Sequence, residues 1–137
     1  MEDFFHITLD KTALNSISAL GLAHLGDAVF EVMVRAQLCA EGRLTNDRLH
    51  RETVRLVCAP AQAARADRML PLLTEDELAC YKRGRNAHLR GIPQHATHEQ
   101  YAKATGLEAL FGQLYLKSRL DRLNELFAKT MEEDHAV

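Results

Sequence analysis

Two stretches of small and apolar residues, each enclosing one acid, constrain this chain more than any other feature. The first reads Leu22-Ala23-His24-Leu25-Gly26-Asp27-Ala28-Val29-Phe30, the second Ala104-Thr105-Gly106-Leu107-Glu108-Ala109-Leu110-Phe111-Gly112. Their apolar residues recur at helical spacing. On the first helix His24, Asp27 and Glu31 share a face. On the second Tyr101, Ala104, Thr105, Glu108, Gly112 and Tyr115 do. Gly26 and Ala28 flank one acid, and Ala104 and Gly112 leave room around the other. Glycine inside a helix is unfavourable by about 1 kcal/mol relative to alanine, but small residues let a second backbone come close. The two helices are expected to cross tightly at Asp27 and Glu108.

A carboxylate on a packed face loses hydration worth several kcal/mol unless a cation or hydrogen bonds compensate. Two at close range repel unless a cation lies between them or one takes a proton. One or two carboxylates plus waters suit magnesium. The plainer alternative is that each acid is solvated or paired with an arginine.

The helical period runs through the whole chain, and no convincing alternating run appears. The expected fold is all-α, with about six to seven helices in a single domain over 1–137, long enough for a proper core. The first helix is expected from near Ser16 to Ala40. Thr45 caps a second, Asn46 to Val57, and Pro60 opens a third that reaches Leu72. The capping box Thr74 to Glu77 starts a fourth to Ala87, followed by a loop from His88 to His98. A second capping box, Thr97 to Gln100, opens a fifth helix to Leu116. Ser118 to Asp121 resembles the cap of a last helix reaching Met131, and 132–137 should fray.

No apolar run is long enough for a membrane span, and Met1-Glu2-Asp3 lacks the positive start of a signal peptide. Cys39, Cys58 and Cys80 read as buried thiols of a reducing cytoplasm.

Net charge is −2, yet from Arg48 to Arg90 there are nine basic and five acidic residues, so this span carries +4 and the remainder −6. Such asymmetry suits a polyanion-facing surface beside an acidic site. Arg48, Arg51 and Arg55 form one stripe, Arg65 and Arg68 a pair, and Lys82, Arg83 and Arg85 precede Asn86 at a helix end. A solvated face, or arginines complementing a helix dipole, is the plain alternative. His50 is a further candidate for RNA contact or simple surface. His88, His95 and His98 have no cysteine or carboxylate at a standard zinc spacing, which favours solvated histidines or phosphate contacts.

At these residues the chain resembles the ribonuclease III family. His24-Leu25-Gly26-Asp27-Ala28-Val29 is similar to the Leu-Gly-Asp-Ala/Ser-Val core of its signature, and the 106–112 stretch to its second acidic motif. The likeness is greatest to the Mini-ribonuclease III branch, which consists of the catalytic domain alone. Leu49-His50-Arg51, the 59–63 stretch around Gln62, and Arg83-Gly84-Arg85-Asn86-Ala87 support that branch.

The resemblance implies a helical endonuclease domain, a homodimer, and hydrolysis of double-stranded RNA to 5′-phosphate products with a short 3′ overhang. It implies magnesium, with manganese able to substitute, and a task in 23S ribosomal RNA maturation on the 23S precursor. Asp27 and Glu108 match the two core acids, catalytic and metal-holding. Ala23 and Thr105 stand where the full-length enzymes carry further acids, which leaves the metal count open. The chain ends at Val137 with no double-stranded-RNA-binding domain, so grip is expected from Arg48, His50, Arg51, Lys82, Arg83, Arg85 and Asn86. Leu22, Leu25, Val29, Val32 and Met33 exceed one core face and offer a dimer surface. Two other readings stand beside the enzyme: a catalytically weak RNA-binding module, and a helical interaction protein whose acids are structural.

Overall fold

Helix α6 (His98–Leu116) is apolar nearly all round, and such a helix must be enclosed by its neighbours. In the computed structural model, which describes residues 1–42, 45–87 and 95–132, it runs through the middle. Around it pack α2 (Ala19–Glu41), α4 (Ala59–Met69) and α5 (Glu75–Arg85). Helix α3 (Asn46–Val57) lies on α2, and α7 (Leu120–Met131) lies across α4 and α6. A short α1 (Lys11–Asn15) precedes them, and no strand occurs among the described residues. Phe30 of α2 meets Phe111 of α6 and Phe127 of α7 at centroid distances of 5.4 and 5.5 Å, which centres the core on these three helices.

Local sequence sets most boundaries. Thr45 accepts from the Arg48 amide, and Thr74 and Thr97 each close a full capping box with Glu77 and Gln100. Four boundaries differ from expectation. The first long helix begins at Ala19, because Ser18 caps it through the Gly21 amide. Upstream, Asp10 caps the separate α1, which the apolar period does not reveal. The third helix stops at Met69 and tightens into a 3-10 turn over Leu70–Leu72, where Pro71 supplies no amide hydrogen. Ser118 ends α6 instead of capping α7. It takes φ 56°, with Ser118 N bonded to Tyr115 O and Arg119 N to Leu114 O, the Schellman pattern. Residues 133–137 of the expected fraying end lie outside the described residues.

Two further expectations are corrected. Cys39 and Cys58 are exposed, and only Cys80 is buried. Arg65 and Arg68 are consumed inside the fold. Arg65 is 2% exposed and donates to the Leu56 and Thr130 carbonyls at 3.1 and 3.0 Å, and Arg68 also donates to Thr130 O. They join α3, α4 and α7 by satisfying helix-end carbonyls. Arg122 does similar work, with a 2.8 Å bond to the buried Glu77 carboxylate that holds the acid below its usual range and ties α7 to α5.

Candidate active site at a glycine crossing

Gly26 and Gly112 decide where α2 and α6 meet. A Cβ built on Gly26 would overlap the Glu108 carbonyl oxygen and come within 2.8 Å of Gly112 N. A Cβ on Gly112 would overlap the Leu22 carbonyl oxygen and come within 3.1 Å of Gly26 N. The helices therefore touch backbone to backbone, which only glycine permits. Asp27 follows Gly26 and Glu108 lies one turn before Gly112, so this contact brings the two carboxyls together.

The acids differ in setting. Asp27 is exposed at the rim, not packed as its neighbours suggest, while Glu108 is partly buried. Burial pushes the Glu108 carboxyl up to about 9, and the Asp27 charge and the hydrogen bond that protonated Glu108 donates to the Asp27 carboxylate add to the rise. The Gln62 side chain opposes the shift as a hydrogen-bond donor. Among the described residues no basic side chain shifts Glu108. The arginine-paired alternative thus has no support at this acid. Near neutral pH Glu108 keeps its proton unless a cation replaces it.

The positions beside the acids are closed to ligation. Ala23 is buried, and the buried Thr105 hydroxyl donates back to the Tyr101 carbonyl at 2.9 Å. No cluster of three or more His, Cys, Asp or Glu suited to a metal occurs among the described residues. On the same α2 face His24 is exposed, and Glu31 is bound to Arg35 at 2.7 Å.

The basic candidates fall on two separate helices. Arg48, His50 and Arg51 are exposed on α3 beside α2, and Arg55 is paired with Glu52 at 2.9 Å. Lys82 and Arg83 are exposed near the end of α5, and Asn86 is its C-cap. The Arg85 guanidinium lies 5.9 Å from the Tyr81 ring centroid and donates to Asn86 Oδ1. Arg83 donates to Gln113 at 3.3 Å. Gln113 follows Glu108 by five positions, about 140° around α6, so this arginine is drawn away from the acids. Arg90 and His88 lie outside the described residues. His95 and His98 are exposed.

Residues 20–119 match the family described as the Ribonuclease III domain. The chain belongs to the ribonuclease III family. Both acids lie within the matched segment of this endoribonuclease family. Among curated relatives, a "Mini-ribonuclease 3" of Symbiobacterium thermophilum is 44% identical over 111 residues, covering 81% of this chain and 85% of that protein. Another so named, from Thermoanaerobacter sp., is 39% identical over 128 residues, covering 91% and 90%. A crystal structure of a Fusobacterium nucleatum protein superposes with a TM-score of 0.80 at 25% identity, covering 88% of this chain and 97% of that one. The ribonuclease III fold expected from sequence is therefore present. No helix among the described residues is long and apolar enough to cross a membrane.

Gln62 is the site residue that sequence reasoning passed over as anything but a family landmark. Its signal was available: a polar side chain at the head of a buried stripe continued by Ala66 and Met69.

Proposed function

We propose that this chain is a magnesium-dependent endoribonuclease of double-stranded RNA, with Asp27 and Glu108 as its catalytic, metal-holding acids. The observation that carries this is their juxtaposition at the Gly26–Gly112 crossing, with no basic side chain among the described residues to neutralise Glu108. A hard divalent cation held by two carboxylates and waters fits that donor set, and manganese has the same oxygen preference. When bound, such a cation supplies Lewis-acid stabilisation and a water of lowered pKa.

The chain's own contribution is placement. The glycine contact fixes the carboxyls without side-chain intermediaries, and Asp27 at the rim leaves the pair open to a phosphate. Exposed Arg48, His50 and Arg51, with Lys82, Arg83, Arg85 and Asn86, supply phosphate contacts to an A-form duplex with little base readout. We read residues 1–137 as one catalytic domain.

A homodimer would place one such site on each strand and leave 5′-phosphates with a short 3′ overhang. Its support is a groove of about 390 Å³ on α2, lined by Leu25, Val29, Val32 and Met33 with Phe5 and Tyr115. Val32 is 56% exposed, whereas Leu22 is 2% exposed and belongs to the core. The substrate that the family resemblance implies is the 23S ribosomal RNA precursor, met in the cytoplasm.

Incubating the purified chain with a 23S precursor duplex, with and without magnesium, tests the proposal. Cleavage that requires magnesium and disappears in Asp27→Asn is expected. A wild-type cutting rate in Asp27→Asn would overturn the assignment. Metal-independent binding without cleavage would favour the RNA-binding module that Ala23 and Thr105 suggest.

A further inference from the structure

Gln62 is buried with its amide nitrogen unpartnered. It is 1% exposed on α4, at the head of the Gln62, Ala66, Met69 stripe, and α4 packs on α6. Its Nε2 is fully enclosed and closes no hydrogen bond. A primary amide nitrogen carries two donors, and enclosed donors without partners are rare in folded chains. The Glu108 carboxyl faces Gln62 as an acceptor, on which Gln62 acts as a donor without forming a bond of full geometry.

We propose that Gln62 is the positioning residue for Glu108: Nε2 donates to one carboxylate oxygen and leaves the other turned toward Asp27 and the cation the two acids share. This rests on the assignment of the two acids above. The residue type suits the task. A neutral amide fixes the orientation of a carboxylate without neutralising it, whereas lysine or arginine here would compete with the metal. Packing against α6 holds the amide still, so the glutamate, with its three torsions, gains a fixed rotamer. Ala23 and Thr105 supply no acid, and no third His, Cys, Asp or Glu among the described residues joins the pair, so the aim of each matters more.

Gln62→Met tests this in the full chain, because it keeps length and volume and removes the donor. Without metal, its melting temperature should equal or exceed that of the wild type. The magnesium-induced rise in melting temperature reads metal binding apart from cleavage. The magnesium needed for half of that rise should increase about ten-fold, and single-turnover cleavage at saturating RNA should fall by about ten- to a hundred-fold. Duplex affinity without magnesium should not change. A magnesium titration that superimposes on the wild type would overturn the inference. Should Gln62→Met fail to fold, Gln62→Asn, which draws the amide back by one methylene, is measured in its place. An unaltered magnesium response there is equally fatal. Glu108→Gln separates the two levels. If it cuts normally, the acid assignment has failed; if it is inactive while Gln62→Met behaves as wild type, only the role of Gln62 has.

Discussion

The Gly26 backbone lies so close to the Glu108 carbonyl that a Cβ at residue 26 would stand 2.5 Å from the carbonyl carbon. No rotamer relieves that clash, because both partners are backbone. Gly26→Ala should destabilise the fold by about 3 kcal/mol or more, through forced separation of α2 and α6. Gly42→Ala is the contrasting control: nothing lies within 4 Å of its Cβ, and only its φ of 70° resists substitution. Urea denaturation of both variants decides, and an unaffected midpoint for Gly26→Ala would mean the helices do not cross as described.

Asp27→Asn and Glu108→Gln should each abolish cleavage and leave duplex affinity nearly unchanged. The double variant should be scarcely worse than either single, since groups that act as a unit are grossly non-additive. Multiplicative losses in single-turnover rates would show that the acids serve separate ends.

Stability without metal should fall as pH rises. The folded Glu108 carboxyl, at about 9, lies above its usual 4.5, so between these values the folded chain binds more protons than the unfolded one. The stabilising share is complete below 4.5 and lost as pH climbs through about 9, with a slope of up to about 1.4 kcal/mol per unit. Glu108→Gln should flatten the slope and raise the melting temperature on the alkaline side. Melting curves across that pH range, for the wild type and the variant, would expose a mistaken environment for Glu108 if they ran parallel.

The exposed arginines should act on binding and the buried ones on folding. Arg48→Ala with Arg51→Ala should reduce the slope of log affinity against log salt by somewhat under one unit per lost phosphate contact. Arg83→Ala with Arg85→Ala should do the same, although the Gln113 and Tyr81 contacts predict some loss of stability too. Arg65→Ala should instead cost several kcal/mol, because it orphans the Leu56 carbonyl and weakens the Thr130 tie. Salt titrations of duplex binding, paired with melting, separate the two groups. An unchanged slope in either double variant removes that helix from the RNA surface.

The wild-type chain should scatter light with twice the 15.4 kDa of one copy, and Val32→Glu, on the exposed α2 face, should fall back to a single copy. A wild-type mass near 15.4 kDa at micromolar concentration would sink the two-site model of staggered cleavage.

The sequence alone determined whatever depends on neighbours along the chain. Thr45, Thr74 and Thr97 cap helices because the bonds involved span three residues, and the acids share faces with small residues because helical period is local. The two acidic motifs lie within single helices and were legible for the same reason. Ser118 misled because a serine favours a helix start, while its φ of 56° is set by the carbonyls of Leu114 and Tyr115 in the helix it ends. Tertiary structure alone decided what depends on distant partners. Arg65 reads as one of a basic pair until Leu56 and Thr130 take up its donors. Gln62 reads as one more helical polar residue until α4 and α6 enclose it beside Glu108. The unequal burial of the two acids likewise follows from the enclosure of α6 by α4 and α5 as well as α2, and burial by other elements leaves no periodic trace in sequence.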